Sequence, residues 1–284
     1  MKKSTIVLAA SILLCAGCDI QNPFQKNSQQ PHKTDEERAN GHLESVPASG
    51  EGENNPAAEG EQETTQGEAE LTLEASYFNE IQEVNGEKEI RNPENVLALV
   101  NKVFALPSVY EPGDLVRPSV AFSFGNQEIE KSYMRKEAAQ ALEQMFLAAK
   151  KENIQLLAAS GYRSYSRQVA VLDAEISKVG KEQAVQAVAP PGKSEHQTGL
   201  AMDITSESVK FGLTESFGET PEGQWLRDNA HKFGFILRYP KGKESITGYQ
   251  YEPWHFRYVG TEAAKTIFEN NWTLEEYFSK VKKL

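Results

Sequence analysis

Apolar residues recur at helical spacing in several segments of the chain. The longest pattern predicts an amphipathic helix over residues 130–152, with apolar positions at steps of three or four: Met134, Ala138, Leu142, Met145, Phe146 and Ala149. Two shorter helices are predicted over 166–178 and 182–188, ahead of the Pro-Pro-Gly break at 190–192. A further helix is predicted over 220–233, because a threonine that can cap it is followed by a proline in the first turn.

Short apolar runs between these helices are typical of strands. They lie at 154–159, 200–204, 235–239 and 254–259. In the second run, Asp203 falls on the strand face opposite to Met202 and Ile204. Thr273 and Glu276 form a capping box for a last helix. Together these elements predict a single α+β domain, with a small, mostly antiparallel sheet flanked by helices.

The net charge of −11 is concentrated near the N-terminus. Residues 19–75 carry 13 acidic and 3 basic side chains, whereas residues 76–284 carry a net charge of only −3. Phe24 is the only aromatic residue before position 76. Such a segment cannot bury enough apolar area to offset the entropy of ordering it. We therefore predict a disordered acidic tether over 18–75 and a folded domain over 76–284, with its core at about 92–270.

The first residues have the features of a bacterial signal peptide. Lys2 and Lys3 precede an apolar run over 6–16, which is too short to span a bilayer. We therefore predict that residues 1–17 direct export of the protein from the cytoplasm. A plain signal peptide, cut nearby without addition of lipid, is the alternative interpretation of this segment.

The end of this segment resembles the lipobox of bacterial lipoproteins. Residues 14–18 read Leu-Cys-Ala-Gly-Cys, with Cys15 at a position where leucine is usual. Lipidation of Cys18, including palmitate, would anchor the mature chain to the bacterial cell membrane, so we expect an extracytoplasmic, lipid-anchored protein. The tether would let the domain work away from the membrane. An acidic metal-buffering tail that uses His32 and His42 is the alternative interpretation.

Composition excludes several classes of function. A mean hydropathy of −0.56 is incompatible with a multi-span membrane protein, and a pI near 5.1 argues against electrostatic binding of nucleic acid. The only two cysteines, Cys15 and Cys18, precede the predicted domain, which therefore has neither a disulfide nor a thiol nucleophile. The chemistry of the domain must come from its other polar side chains.

Two histidines lie close in sequence to carboxylates. His196 precedes Asp203 by seven residues, and a turn near Gly199 is needed to bring their side chains together. His255 follows Glu252 by three residues. Two histidines and an aspartate suit Zn²⁺ and leave its fourth position for water, with Glu252 as a general base beside that water. From spacing alone, structural hydrogen-bonding roles are the commoner alternative.

These residues form a pattern that resembles a known enzyme family. The two motifs are Ser194-x-His196-x-x-Gly199-x-Ala201-x-Asp203 and Glu252-x-Trp254-His255. They are similar to the paired motifs of the zinc D,D- and L,D-carboxypeptidases typified by the vancomycin-resistance carboxypeptidases. Residues 160–164 with Gln168 resemble the substrate-binding segment of that family, and residues 100–115 resemble its N-terminal wrap. The resemblance covers about residues 92–270 and implies a zinc-peptidase fold.

The resemblance also implies roles for individual residues. It implies His196, Asp203 and His255 as zinc ligands and Glu252 as the catalytic base. Arg163 would either stabilise the developing oxyanion or engage the terminal carboxylate of the substrate, since a guanidinium group can serve both purposes.

Other side chains are candidates for contact with the substrate. Ser194 and Gln168 would hold it, and Tyr239 and Trp254 either line the pocket or belong to the core. His231 lies on a predicted helix with no partner in the sequence, and we interpret it as structural or exposed.

The expected function is removal of the C-terminal D-alanine from peptidoglycan stem peptides by a monomeric zinc enzyme. Two alternatives stay open at this point. A D,D-dipeptidase or a stem-peptide endopeptidase would use a similar zinc site, and a non-catalytic peptidoglycan-binding module would keep the pocket without turnover. The presence of Glu252 argues against the binding module, because a binder has no need of a base.

Overall fold

The computed structural model describes residues 70–284, which belong to one compact unit. The predicted signal peptide, Cys15, Cys18, His32, His42 and almost all of the predicted tether lie outside the described residues. The helices are α1 Lys136–Lys151, α2 Tyr165–Val179, α3 Lys181–Ala187, α4 Pro221–Asn229, α5 Glu244–Thr247, α6 Thr261–Glu269 and α7 Leu274–Lys280. The strands are β1 Thr72–Leu73, β2 Ile81–Val84, β3 Glu87–Ile90, β4 Phe104–Ala105, β5 Leu115–Val116, β6 Met134–Arg135, β7 Leu157–Ser160, β8 Ala201–Thr205, β9 Phe235–Leu237, β10 His255–Tyr258 and β11 Lys282–Lys283. Among residues 70–284, none of the helices has the length and hydrophobicity needed to cross a membrane.

A four-stranded antiparallel sheet forms the centre of the domain, with strands in the order β7-β8-β10-β9. One face of this sheet packs against α1 in the main core, which includes Met202, Ile204, Phe256, Leu142 and Met145. Because side chains alternate along a strand, Asp203 and His255 lie on the opposite face. The predicted α+β architecture, with a small antiparallel sheet flanked by helices, is confirmed.

Most of the predicted helices form where the pattern placed them. The helices predicted over 166–178 and 182–188 correspond to α2 and α3 within one residue at each end. The predicted helix over 220–233 is α4, continued by a 3-10 turn over Ala230–Phe233. At α7 the capping box is present, since the Glu276 amide donates to Thr273 Oγ1 at 3.1 Å and the Thr273 amide donates to Glu276 Oε2 at 2.8 Å.

The helix predicted over 130–152 begins too early. Glu130–Ser132 is a 3-10 turn, and Met134–Arg135 is a strand that pairs with β5, so that α1 begins only at Lys136. Met134 is fully buried in this strand. A buried strand residue one turn before a helix fits the helical spacing, which explains the error. The predicted strands are likewise shifted or shortened by a few residues.

A β-hairpin near the start of the described residues was not predicted. β2 and β3 are joined by Asn85 and Gly86, whose φ angles of 53° and 81° are typical of a type I′ turn. The Asn-Gly pair is the sequence signal for this turn. β1 lies inside the segment assigned to the tether, yet it pairs in parallel with β11 near the C-terminus.

Gly199 makes the turn that connects His196 to β8. It ends the 3-10 turn Glu195–Thr198 with φ of 67° and ψ of 10°, a left-handed conformation that disfavours other residues. A Cβ at this position would lie 2.9 Å from Leu115 Cδ2.

We expect Gly199→Ala to lower the free energy of unfolding by about 1–3 kcal/mol, because a side chain in this conformation is strained. Urea denaturation of the two proteins measures the change. Gly113→Ala is the control, since an added Cβ at this exposed glycine meets no atom within 4 Å. Its free energy of unfolding should change by less than about 0.5 kcal/mol. Equal losses in the two variants would contradict the prediction.

Candidate active site

Neighbouring strands and one turn bring two histidines and an aspartate together. In the antiparallel pair of β8 and β10, Asp203 lies directly opposite His255. His196 comes from the turn before β8, and its Nε2 is 3.4 Å from Asp203 Oδ2. His255 Nδ1 is 3.0 Å from Asp203 Oδ1. The sequence separation of seven residues is therefore bridged by the turn at Gly199, as the motif requires.

The three side chains have the geometry of a metal site. They are buried, and one potential ligand atom from each lies within 4.8 Å of the others. The two imidazole rings are nearly perpendicular, at 89°, with centroids 4.9 Å apart. Two nitrogens and one carboxylate oxygen are a donor set that suits Zn²⁺.

The remaining nitrogen of each imidazole has a separate partner. His196 Nδ1 is 2.8 Å from the carbonyl oxygen of Gly161, so that Nε2 is left for a metal. His255 Nε2 is 3.3 Å from Glu195 Oε2, and this ring presents Nδ1 to Asp203. The residues present therefore fit a zinc ion, because each histidine directs one nitrogen towards Asp203 and has a supporting contact at its other nitrogen.

Glu252 lies at the edge of this cluster. Its Oε2 is 4.0 Å from His255 Nδ1, and its side chain is 21% exposed. Burial, reinforced by Asp203 and partly offset by His255, raises the pKa of Glu252 to about 7. A carboxyl group with a pKa near neutrality can both accept and release a proton under physiological conditions.

Arg163 is held beside the cluster by neutral partners. Its guanidinium group donates to Gln168 Oε1 at 2.9 Å and to Ser160 Oγ at 3.2 Å, and its backbone amide donates to the His196 carbonyl at 3.1 Å. Gln168 is almost fully buried and also donates to the carbonyl oxygen of Ala189 at 2.7 Å. Both ends of this amide are engaged, so Gln168 orients Arg163 in addition to lining the site.

The predicted site residues line one cavity of about 220 Å³. It is lined by Arg163, Gln168, Ser194, His196, Asp203, Tyr239, Glu252, Trp254 and His255, among others. The ring of Tyr239 lies 5.0 Å from that of His255, so Tyr239 is a wall of the pocket. Trp254 is both a pocket wall and a neighbour of the main core, which combines the two predicted alternatives.

His231 lies away from the metal cluster. Its ring stacks on Phe268 with centroids 3.7 Å apart, and it lines a different cavity. The interpretation of His231 as a structural or exposed residue agrees with this position.

A buried ionic group behind His255 was not predicted from the sequence. Its three side chains are fully buried, and Glu195 forms an ion pair with each of Arg238 and Arg257. Burial alone would raise the pKa of Glu195, but the two guanidinium groups hold it well below its ordinary value. The sequence did contain a signal for this group, since the apolar runs 235–239 and 254–259 each include one arginine. A charged residue is rarely buried without a partner, so each arginine indicated a buried acidic partner. Tyr249, which also lines the cavity, carried no signal of this kind.

The family is established by comparison with known proteins. The profile of the VanY family, described as D-alanyl-D-alanine carboxypeptidase, matches residues 131–261. The inferred carboxypeptidase YodJ of Bacillus subtilis (strain 168) is 61% identical over 216 residues, which cover 76% of this chain and 79% of YodJ. The chain belongs to the VanY carboxypeptidase family. A D-alanyl-D-alanine carboxypeptidase of Enterococcus faecalis is 39% identical over 150 residues, covering 50% of this chain and 54% of that protein.

Solved structures of VanY-type enzymes share this fold. The LdcB LD-carboxypeptidase is 61% identical, with a TM-score of 0.73, and the match covers 75% of this chain and 100% of that chain. A mutant of the vancomycin-resistance D,D-pentapeptidase VanY in complex with Zn(II) is 35% identical, with a TM-score of 0.54, and the match covers 64% of this chain and 98% of that chain. This VanY-family member is therefore a zinc-dependent carboxypeptidase.

Zinc affinity should depend on pH because the metal competes with a proton. Burial alone would lower the pKa of His255, but hydrogen bonds to Asp203 and Glu195 outweigh it and raise the pKa to about 9. Burial lowers the pKa of His196 below its ordinary value and so favours the neutral ring that a metal requires. Below pH 9, zinc binding must therefore displace one proton from His255.

We expect the apparent zinc dissociation constant to fall about tenfold between pH 7 and pH 8 and to level off above about pH 9. Competition with a chromogenic chelator at each pH measures this dependence. A zinc affinity that does not change between pH 7 and pH 8 would contradict the prediction.

Proposed function

We propose that this enzyme removes the C-terminal D-alanine from peptidoglycan stem peptides. The observation that carries the proposal is the convergence of a metal-binding triad, Glu252 and Arg163 on one small cavity. The named activities of the relatives support it, since a D-alanyl-D-alanine carboxypeptidase and an LD-carboxypeptidase are both among them. In this proposal His196, Asp203 and His255 hold the zinc ion.

Glu252 is assigned the proton transfers. When bound, zinc lowers the pKa of a coordinated water to about 7 and polarises a carbonyl oxygen. Glu252 accepts the proton of the attacking water and later delivers it to the amine of the leaving D-alanine. Its pKa of about 7 suits both steps, because the same carboxyl group must be a base first and an acid afterwards.

Arg163 is assigned to negative charge on the substrate. Its guanidinium group is fixed by Gln168 and Ser160 and lines the cavity with the metal ligands. A preorganised cation can stabilise the oxyanion that develops at the scissile carbonyl, or it can bind the terminal carboxylate.

Replacement of Arg163 by alanine should lower kcat/KM by about 10²–10³-fold, since one donor to a developing charge is lost. Steady-state kinetics divides the effect between the two roles. A loss in kcat assigns Arg163 to the oxyanion, whereas a rise in KM with kcat unchanged assigns it to the carboxylate. Arg227→Ala, at an exposed arginine that pairs with the neighbouring Asp228, is the control and should leave both constants unchanged. Wild-type kinetics in Arg163→Ala would contradict both roles.

The tetrapeptide is proposed as the preferred substrate. The LD-carboxypeptidase LdcB is 61% identical to this chain with a TM-score of 0.73, whereas the D,D-pentapeptidase VanY is 35% identical with a TM-score of 0.54. A tetrapeptide ends in an L-centre followed by D-alanine, and a pentapeptide ends in two D-alanines. Preference between them would reside in the part of the pocket that receives the residue before the scissile bond.

A paired assay tests the proposed function. The full chain, purified in mild detergent, is incubated with synthetic stem tetrapeptide and pentapeptide, with zinc or with a chelator, and the products are identified by mass spectrometry. Release of D-alanine from the tetrapeptide that stops with chelator is the expected result. Release from the pentapeptide alone would make the enzyme a D,D-carboxypeptidase, and release of a dipeptide would make it a dipeptidase or endopeptidase. No turnover of either peptide would overturn the proposal in favour of a binding module.

The proposed location is the outer side of the bacterial cell membrane, where peptidoglycan lies. Support comes from the amino-acid sequence, in which a signal-like segment ends at Cys18 and is followed by a long acidic segment. Metabolic labelling with palmitate tests it: the wild type and Cys15→Ser should incorporate label, and Cys18→Ser should not. Equal labelling of the two cysteine variants would contradict lipidation at Cys18.

A further inference from the structure

The buried carboxylate of Glu195 lies between two arginines and a proposed zinc ligand. Its Oε1 accepts from Arg238 Nε at 2.8 Å and from Arg257 Nη1 at 2.7 Å. Its Oε2 is 3.3 Å from His255 Nε2. All four side chains are at most 4% exposed, so water does not screen these contacts. One oxygen is thus used by the arginines, and the other oxygen faces the histidine.

The charges of this group balance without a proton on Glu195. Arg238 also donates to both oxygens of Glu275, at 2.9 and 2.7 Å. Arg257 uses its other terminal nitrogen to donate to the carbonyl oxygens of Val96 and Ala98, both at 2.9 Å. Two carboxylates therefore face two guanidinium groups, and Glu195 stays an anion that can only accept hydrogen bonds.

With a metal ion at Nδ1, an anionic acceptor next to Nε2 holds the proton of His255 on Nε2. A neutral imidazole has one N–H and one lone pair. With Glu195 on the Nε2 side, the N–H belongs on Nε2 and the lone pair on Nδ1. Nδ1 also faces a carboxylate, that of Asp203, so the choice of tautomer applies when a metal ion lies between them. The opposite tautomer would then direct an N–H at the metal and the Nε2 lone pair at Glu195. Nδ1 is 3.0 Å from Asp203 Oδ1, and it is therefore the nitrogen of His255 that would coordinate the metal.

We propose that Glu195 is a positioning residue for the zinc site. It accepts the Nε2–H of His255, keeps the Nδ1 lone pair directed at the metal and makes that nitrogen a stronger donor. Carboxylates that support a ligating histidine in this way typically account for 10–100-fold in metal affinity. The arginines keep Glu195 in place and ionised. The inference rests on the proposed function, in which His255 is a zinc ligand.

Glu195→Gln and Glu275→Gln form a matched pair for the test. Both remove a carboxylate that pairs with Arg238, but in the described residues only Glu195 also contacts His255. The full chain is used in mild detergent. Zinc affinity is measured by chelator competition, and the visible spectrum of the Co²⁺-substituted protein reports the ligand geometry. Thermal unfolding without metal shows how much each variant loses in general stability.

We expect Glu195→Gln to bind zinc about 10–100-fold more weakly and to change the Co²⁺ spectrum. Glu275→Gln should keep the wild-type zinc affinity and Co²⁺ spectrum, even if its unfolding temperature falls as much as that of Glu195→Gln. The proposal would be overturned if a folded Glu195→Gln kept the wild-type zinc affinity and spectrum, or if the two variants had equal effects. Glu195 would then have only a structural role as the ion-pair partner of the arginines.

A measurement on the wild type keeps the proposal testable if Glu195→Gln does not fold. Nitrogen-15 NMR of the zinc-loaded protein distinguishes a protonated from a coordinated imidazole nitrogen. We expect His255 to carry its proton on Nε2 and to coordinate through Nδ1. Coordination through Nε2 would overturn the proposal. A wild type that binds no zinc would instead show that the proposed zinc site is wrong. Failure of the Glu195 proposal and failure of the proposed function are therefore distinguishable.

Discussion

Replacement of Glu252 by glutamine should lower kcat by about 10³-fold, within the range of about 10²–10⁴-fold that general acid–base catalysis contributes. Glutamine has nearly the same shape but cannot accept the proton of the attacking water. Zinc should stay bound, because Glu252 is not one of the three grouped ligand side chains in the described residues. Single-turnover kinetics on the tetrapeptide, with zinc content measured on the same sample, checks both parts of this prediction.

Glu152→Gln is the matched control for Glu252→Gln. Glu152 is exposed at the end of α1 and does not line the cavity, so kcat should equal that of the wild type. If Glu252→Gln retained more than a tenth of the wild-type kcat with zinc bound, the proton would have to move through another group and the assigned role of Glu252 would be wrong.

Replacement of Asp203 by alanine should abolish activity through loss of the metal. Asp203 contacts both histidines, so the substitution removes one proposed ligand and the partner that aligns the other two. The loss of zinc affinity should exceed the about 10–100-fold that removal of an outer partner costs. Equilibrium dialysis with zinc measures this loss, and wild-type protein stripped by a chelator should show the same inactivity and recover when zinc returns.

Asp173→Ala is the control for this substitution, because Asp173 is an exposed aspartate on α2. Its zinc content and activity should match the wild type. Retention of stoichiometric zinc by Asp203→Ala after dialysis would show that Asp203 is not a ligand.

Elements with strong local signals could be predicted from the sequence. α4 and α7 begin at capping side chains that satisfy free backbone amides, and the structure contains both caps. The motif around Gly199 also predicted correctly that a turn brings His196 next to Asp203. In each case the information lies within a few residues of the feature it specifies.

Features that depend on distant parts of the chain could not be predicted in this way. The start of α1 depends on the pairing of Met134–Arg135 with β5, which spacing alone cannot distinguish from one more helical turn. The partners of Glu195 lie 43 and 62 residues further along the chain. A single sequence gives no reason to join a glutamate in one motif to one arginine just after β9 and another in β10.

The arginines behind Glu195 also set a lower limit on the size of the functional unit. The segment that matches the VanY profile, 131–261, contains Arg238 and Arg257 but excludes Val96, Ala98 and Glu275, which satisfy them. A chain cut to that segment would keep Glu195, but Arg238 would lose Glu275, the second of its two carboxylate partners, at a cost of about 3–5 kcal/mol. Arg257 would lose its two backbone acceptors. The hydrolase therefore needs its flanking residues for electrostatic neutrality as much as for packing.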